Sequence, residues 1–187
     1  QAAVELLKHK RGKEALAKIK EAEAFGEKTP YETYLIERIR GQAAAIAGET
    51  LVAARAFEAT AASPAASGGE RLQFLAAASG QYYAGKDYAK AAELGARYFR
   101  DGGNDRAMRT VYVQALYLSN NFARAASEIL KDVQAVEAAG RSPAEDQLQI
   151  LANAYLKQRY PAGDRGALAK LVESYPKKEY WLTVVVA

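Results

Sequence analysis

The single histidine of this chain, His9, limits the chemistry that its 187 residues can perform. One imidazole cannot build a multi-histidine metal site or the base of a serine triad together with other histidine roles. With no cysteine, disulfides, thiolate zinc sites and cysteine nucleophiles are absent as well. No glycine-rich loop runs into a Lys-Ser/Thr pair, so the usual phosphate cradle is missing. Carboxylate pairs do occur, at Glu21/Glu23, Asp101/Asp105 and Glu145/Asp146. A hydrolase would set such a pair across a cleft. These sit in mixed-charge helical faces or at helix starts, where acids suit the helix dipole. The glycine pairs Gly68-Gly69 and Gly102-Gly103 fall at helix boundaries, where turn geometry accounts for them. The reading is a protein that is not an enzyme and uses no cofactor or metal.

Charge gives little more. The net charge of +4 is too small to argue for nucleic acid. The one dense basic stretch, Lys8, His9, Lys10, Arg11 and Lys13, reads as a solvated helix end and turn. No run approaches the roughly 18 apolar residues of a membrane span. The chain opens on Gln1, which leaves any leader sequence out of view.

The elements that must carry any function are helices. Forty-one alanines dominate the apolar half of the composition, and Val, Ile and Thr never alternate over a strand's length. Periodicity and breaks predict helices near 1–10, 13–25, 30–47, 50–62, 70–84, 87–100, 105–119, 121–138, 143–158, 164–174 and 178–187. Thr29-Pro30 and Ser142-Pro143 place a capping residue before a proline, and Gly102 to Asp105 supplies a turn and then a cap. Short connections between such helices imply antiparallel hairpins.

The hairpins repeat. Tyr82 to Ala92 matches Leu116 to Ala126 at an offset of 34, pairing Tyr88 with Phe122, Ala91 with Ala125 and Ala92 with Ala126. Gly48 to Ala54 fits at an offset of 37, with the surplus assigned to the loop between Ser63 and Gly69. Leu151 to Gln158 repeats the end of a first helix, before an irregular turn at Tyr160–Gly166. Small residues let the two helices of a hairpin approach, and aromatics fill the gap at its turn.

This period of helix, turn and helix resembles the tetratricopeptide repeat. The resemblance implies an all-α, right-handed superhelix of stacked antiparallel hairpins, an α-solenoid. It gives one array over 1–187: an irregular first hairpin at 1–25 with a shortened turn, repeats at about 30–62, 70–100, 105–138 and 143–174, and the start of a further hairpin at 178–187. Trp181 then stands where the family places a large first-helix aromatic, so the chain is expected to continue, or to dock this apolar face in a homo-oligomer. Segments 28–32 and 173–181 are further similar to exported bacterial tetratricopeptide proteins found alongside TonB/ExbB-type envelope systems. That similarity implies a periplasmic scaffold.

The family's concave groove supplies the candidate site. Tyr82, Tyr88 and Tyr155 map to packing positions. Tyr83, Tyr117, Gln114, Leu118, Asn153, Leu156 and Lys157 map to the groove, where tyrosine is a good anchor for a protein or peptide partner. Repeats that clamp a terminal carboxylate carry cations at positions corresponding to Ile39, Ala43, Ala76, Gly80, Thr110 and Gln114. None of these is cationic, and such a clamp is not expected. The expected function is protein–protein interaction; the alternative is a structural protein that assembles with itself.

Overall fold

The computed structural model describes residues 2–158, 161–177 and 180, and those residues form α-helices and connections without a strand. The helices are α1 (Ala2–Lys8), α2 (Gly12–Glu23), α3 (Pro30–Ala47), α4 (Thr50–Ala62), α5 (Gly68–Ala84), α6 (Tyr88–Arg100), α7 (Arg106–Leu118), α8 (Phe122–Ala138), α9 (Glu145–Lys157) and α10 (Pro161–Ser174). The chain divides into two compact units, Gln1–Ala115 and Leu116–Ala187.

In the first unit the hairpins close on one turn. Lys10 and Arg11 donate backbone N–H groups to Leu7 and Leu6; Gly48 and Glu49 to Ala45 and Ala44; Lys86 and Asp87 to Tyr83 and Tyr82. The turn residues Lys10, Gly48 and Lys86 take left-handed φ values of 55°, 78° and 64°. This is the Schellman closure, which satisfies carbonyls that a helix end leaves free. The first hairpin, expected to have a shortened turn, closes like the others. In the second unit Asn120 and Asn121 repeat the same pair of bonds to Tyr117 and Leu116, with Asn120 at φ 62°.

These turns correct the repeat register. Residues 49 and 87 are equivalent and stand 38 apart, whereas 87 and 121 stand 34 apart. Ala53 and Ala54 therefore match Ala91 and Ala92, and all four are buried. The surplus is not in the loop: segments 63–67 and 101–105 have equal length. It lies in α5, 17 residues long against 13 in α7. Four residues add about one helical turn and keep the same face inward.

Packing within the first unit follows from small residues. A Cβ on Gly12 would lie 2.5 Å from the carbonyl oxygen of Ala43, so glycine lets α2 lie directly on α3. Ala15, Ile19 and Ala43 form the core there, with Leu6, Leu7, Leu16, Ile36 and Ile39 around it. Gly41 admits the Phe57 ring, which stacks on Phe74 with centroids 5.9 Å apart. The one hydroxyl wholly buried in α5, on Ser79, donates to the carbonyl of Ala91 at 2.8 Å.

Capping boxes open α3 and α5, the first at the Thr29 cap that the sequence predicts: its side chain accepts from the Glu32 N–H while Glu32 accepts from the Thr29 N–H. Ser67 and Glu70 do the same for α5, and Asp105 accepts from the Met108 N–H.

The second unit buries Ile129, Val133, Leu148, Leu151, Leu168 and Leu171. Ser142-Pro143 does not open α9, which starts at Glu145; Pro143 is buried, and its carbonyl accepts from the Tyr175 hydroxyl at 2.8 Å. Helix α10 begins at Pro161 rather than 164, because proline suits the first helical position. The hairpin expected to start with Trp181 lies outside the described residues.

Candidate functional site

The turn register, not the sequence offset, decides which side chains occupy equivalent places. Two residues before the turn-closing carbonyls of Ala44, Tyr82 and Leu116 stand Gln42, Gly80 and Gln114. One residue after them stand Ala45, Tyr83 and Tyr117.

In the first unit the structure brings two expected site residues together. The Tyr83 hydroxyl donates to Oε1 of Gln114 at 2.8 Å, joining α5 to α7. The Tyr83 ring also meets Tyr88 edge-on, with centroids 5.5 Å apart. Both Tyr83 and Gln114 are half-buried. Tyr83 is thus held at its ring and at its tip while part of its surface faces water.

In the second unit Tyr117 repeats the ring contact, edge-on to Phe122 at 5.2 Å. Leu118 is 44% exposed and Leu156 42% exposed. Asn153 and Lys157 are exposed on α9. These residues are placed on α7 and α9 without a hydrogen bond joining them. Packing assignments differ: Tyr82 is buried, while Tyr88 and Tyr155 are half-buried.

Two positions tested for a carboxylate clamp are corrected. With the 38-residue register, Arg38 and Gln42 replace Ile39 and Ala43, which pack against the N-terminal hairpin. Arg38 is cationic, yet already engaged. Its guanidinium lies 3.2 Å from Glu70 Oε1, donates to the Tyr34 hydroxyl at 3.3 Å, and sits over the Phe74 ring at 5.8 Å. Sequence reasoning missed both residues because the extra turn of α5 shifts the frame. Gly48 and Asn120, residue types suited to a left-handed turn, mark the frame in the sequence, whereas Lys86 in the equivalent turn does not.

The same extra turn carries Glu70. Hydrogen bonds from the Ser67 side chain and backbone, then from Tyr34 and beside Arg38, hold its carboxyl below the ordinary range. A second polar cluster joins α4 to α5 and α6. Glu58 accepts from the Tyr82 hydroxyl at 2.6 Å and from Lys90 at 3.1 Å. Burial pushes Glu58 up, but those two donors together bring it below the usual carboxylate value. Burial, and then the bond to Glu58, raise Tyr82 to about 12.

An open cavity of about 520 Å³ lies beside the start of α3, lined by Lys28, Pro30, Tyr34, Glu37, Ala62 and Pro64 among others. Burial raises the Glu37 carboxyl, with Arg40 opposing the shift. Lys28 is turned onto the backbone carbonyls of Phe25 and Gly26. Among the described residues no three of His, Asp or Glu are grouped to hold a metal ion, and no helix is long and apolar enough to cross a membrane.

Paired helices, a shared turn and small residues at the helix crossings define a tetratricopeptide-like helical repeat protein. The chain is similar in fold to RapI, a helical repeat protein, in its apo form. The TM-score is 0.53, at 16% sequence identity over 92% of this chain and 52% of that one. The chain thus spans about half the length of that structure. No protein-family model matches the sequence, and no curated protein matches it.

Proposed function

We propose that this protein is a binding scaffold that holds a protein or peptide partner on the exposed faces of its first-in-hairpin helices. The observation that carries the reading is the half-exposed Tyr83, fixed by Tyr88 and by the Gln114 side chain. A rigid aromatic loses little side-chain freedom when a partner covers it, so more of the contact energy appears as affinity. The second unit offers Tyr117 in the same ring geometry, with Leu118 next to it in the chain and Asn153, Leu156 and Lys157 on α9. The reading includes no catalytic step, cofactor, metal, nucleic acid or membrane span.

An exported, periplasmic setting beside an envelope energy-transducing system belongs to the same proposal and rests on the wording of segments 28–32 and 173–181. Fractionation of cells making the untagged native protein tests it; recovery from the cytoplasm alone rejects it.

The test of binding is affinity capture followed by titration of the captured protein against Tyr83→Ala and Tyr117→Ala. Truncating such an anchor is expected to weaken binding by about 2 kcal/mol, or some thirtyfold. Unchanged affinity with unchanged circular dichroism rejects the assignment. Self-assembly is the competing reading, and a concentration-dependent sedimentation coefficient supports that one instead.

A further inference from the structure

We infer that the first unit recognises the main chain of an extended, uncharged segment of a partner protein, received by the side-chain amides of Gln42 and Gln114 across α5. The inference rests on the binding reading given above and states the partner's chemistry.

Gln42, Gly80 and Gln114 take the same place in α3, α5 and α7. Arg38 and Tyr34 tie α3 to Glu70 of α5, and Tyr83 ties α5 to Gln114 of α7. The three helices therefore follow one another with α5 in the middle. Gln42 is exposed and Gln114 half-buried.

The amide is the side chain that matches a peptide group, with one carbonyl acceptor and an NH₂ donor. The Tyr83 hydroxyl occupies Oε1 of Gln114, and the Gln114 amide nitrogen donates to no other described residue, which leaves it for a partner carbonyl. Gln42 makes no hydrogen bond with another described residue, so both halves of its amide are open to a partner.

Between them Gly80 presents backbone only: a Cβ built there meets nothing within 4 Å. A partner chain can lie low over α5 at that point. Packed helices stand roughly 10 Å apart, which puts Gln42 and Gln114 about 20 Å from each other. An extended chain covers that distance in about six residues.

Charge narrows the occupant. At the three places set by the turn register (38, 76 and 110; 42, 80 and 114; 45, 83 and 117), only Arg38 is ionic, and Glu70 pairs with it. A terminal carboxylate or an acidic side chain gains no free cation there. A neutral main chain gains two amides.

The experiment selects a random-peptide phage library on the full chain and measures the enriched synthetic peptides by fluorescence polarisation. Expected are peptides whose affinity is unchanged by C-terminal amidation and nearly flat from about 0.05 to 0.5 M salt. Gln42→Ala with Gln114→Ala should weaken them about tenfold, as should N-methylation of one central peptide bond. Gly80→Leu should do the same while circular dichroism is kept and the thermal midpoint does not fall, since a Cβ at that point meets nothing within 4 Å.

Peptides that need a free carboxylate, or that ignore both the glutamine and Gly80 variants, overturn the inference. If those peptides are still lost with Tyr83→Ala, the binding reading survives without it. If no peptide is enriched and Tyr83→Ala leaves partner capture unchanged, both fail.

Discussion

At the residue scale, the glycines inside helices fall into two kinds that the sequence writes with the same letter. Gly12 is the point where α2 touches the α3 backbone; an added Cβ lies 2.5 Å from Ala43 O and 2.7 Å from Ala47 N. Neither atom is the end of a flexible side chain, so the helices themselves must move. Gly12→Ala is expected to cost about 1–3 kcal/mol in chemical denaturation. Gly80 is the opposite case, with open space where its side chain would be. Gly80→Ala should gain about 0.5–1 kcal/mol through helix propensity alone. Equal effects from the two substitutions would contradict the close approach at Gly12. Alanine shows the same division. Ala15, Ala53, Ala91 and Ala125 are fully buried at one repeated place, while Ala84 and Ala89 are exposed.

At the element scale, carboxylates that close helix starts and hold neighbouring helices give the first unit a directional response to pH. Glu32, Glu58 and Glu70 all have folded values below the 4.5 of the free group. Their stabilisation is therefore present above about pH 4.5 and disappears as pH falls through the lowered values. Glu37, raised by burial, works the other way. The net expectation is a fall in denaturation midpoint below pH 4.5 that Ser67→Ala reduces, because Ser67 is the first donor to Glu70. That substitution should also cost about 1 kcal/mol at neutral pH. At the alkaline end Tyr82 is raised from 10.0 to about 12. Its contribution is intact below pH 10 and is lost between pH 10 and about 12, which phenolate absorbance in Tyr82→Phe can assign. These elements were legible in unequal degree. Thr29-Pro30 announces both a cap and a helix start, and α3 runs from Pro30 to Ala47 as read from the pattern. Ser142-Pro143 carries the same two signals without opening a helix, because Pro143 is used as a buried acceptor for Tyr175. The Tyr83–Gln114 bond was legible only as two residues on one list. Which hydroxyl meets which amide depends on how neighbouring hairpins pack, and no local pattern encodes that.

At the scale of the whole molecule, the first hairpin covers the second within the first unit, so removing it leaves a defined apolar surface. Deleting residues 1–23 would uncover Ile36, Ile39 and Ala43 on α3. The expected result is a lower thermal midpoint together with new binding of a hydrophobic dye. An unchanged midpoint would show that the first hairpin is an appendage rather than a part of the stack. The extra turn of α5 bears on how such a chain can change over time. Four residues rotate a helix by about 400°, only some 40° beyond a full circle, so everything on either side keeps its orientation. An insertion of this size is nearly invisible to the packing, yet it displaces every later position in the linear order. Descendants of one hairpin can thus drift out of step as strings of letters while remaining superimposable as objects. Kinship among such chains should be sought by aligning their turns, where Lys86 and Gly48 coincide, rather than by counting residues.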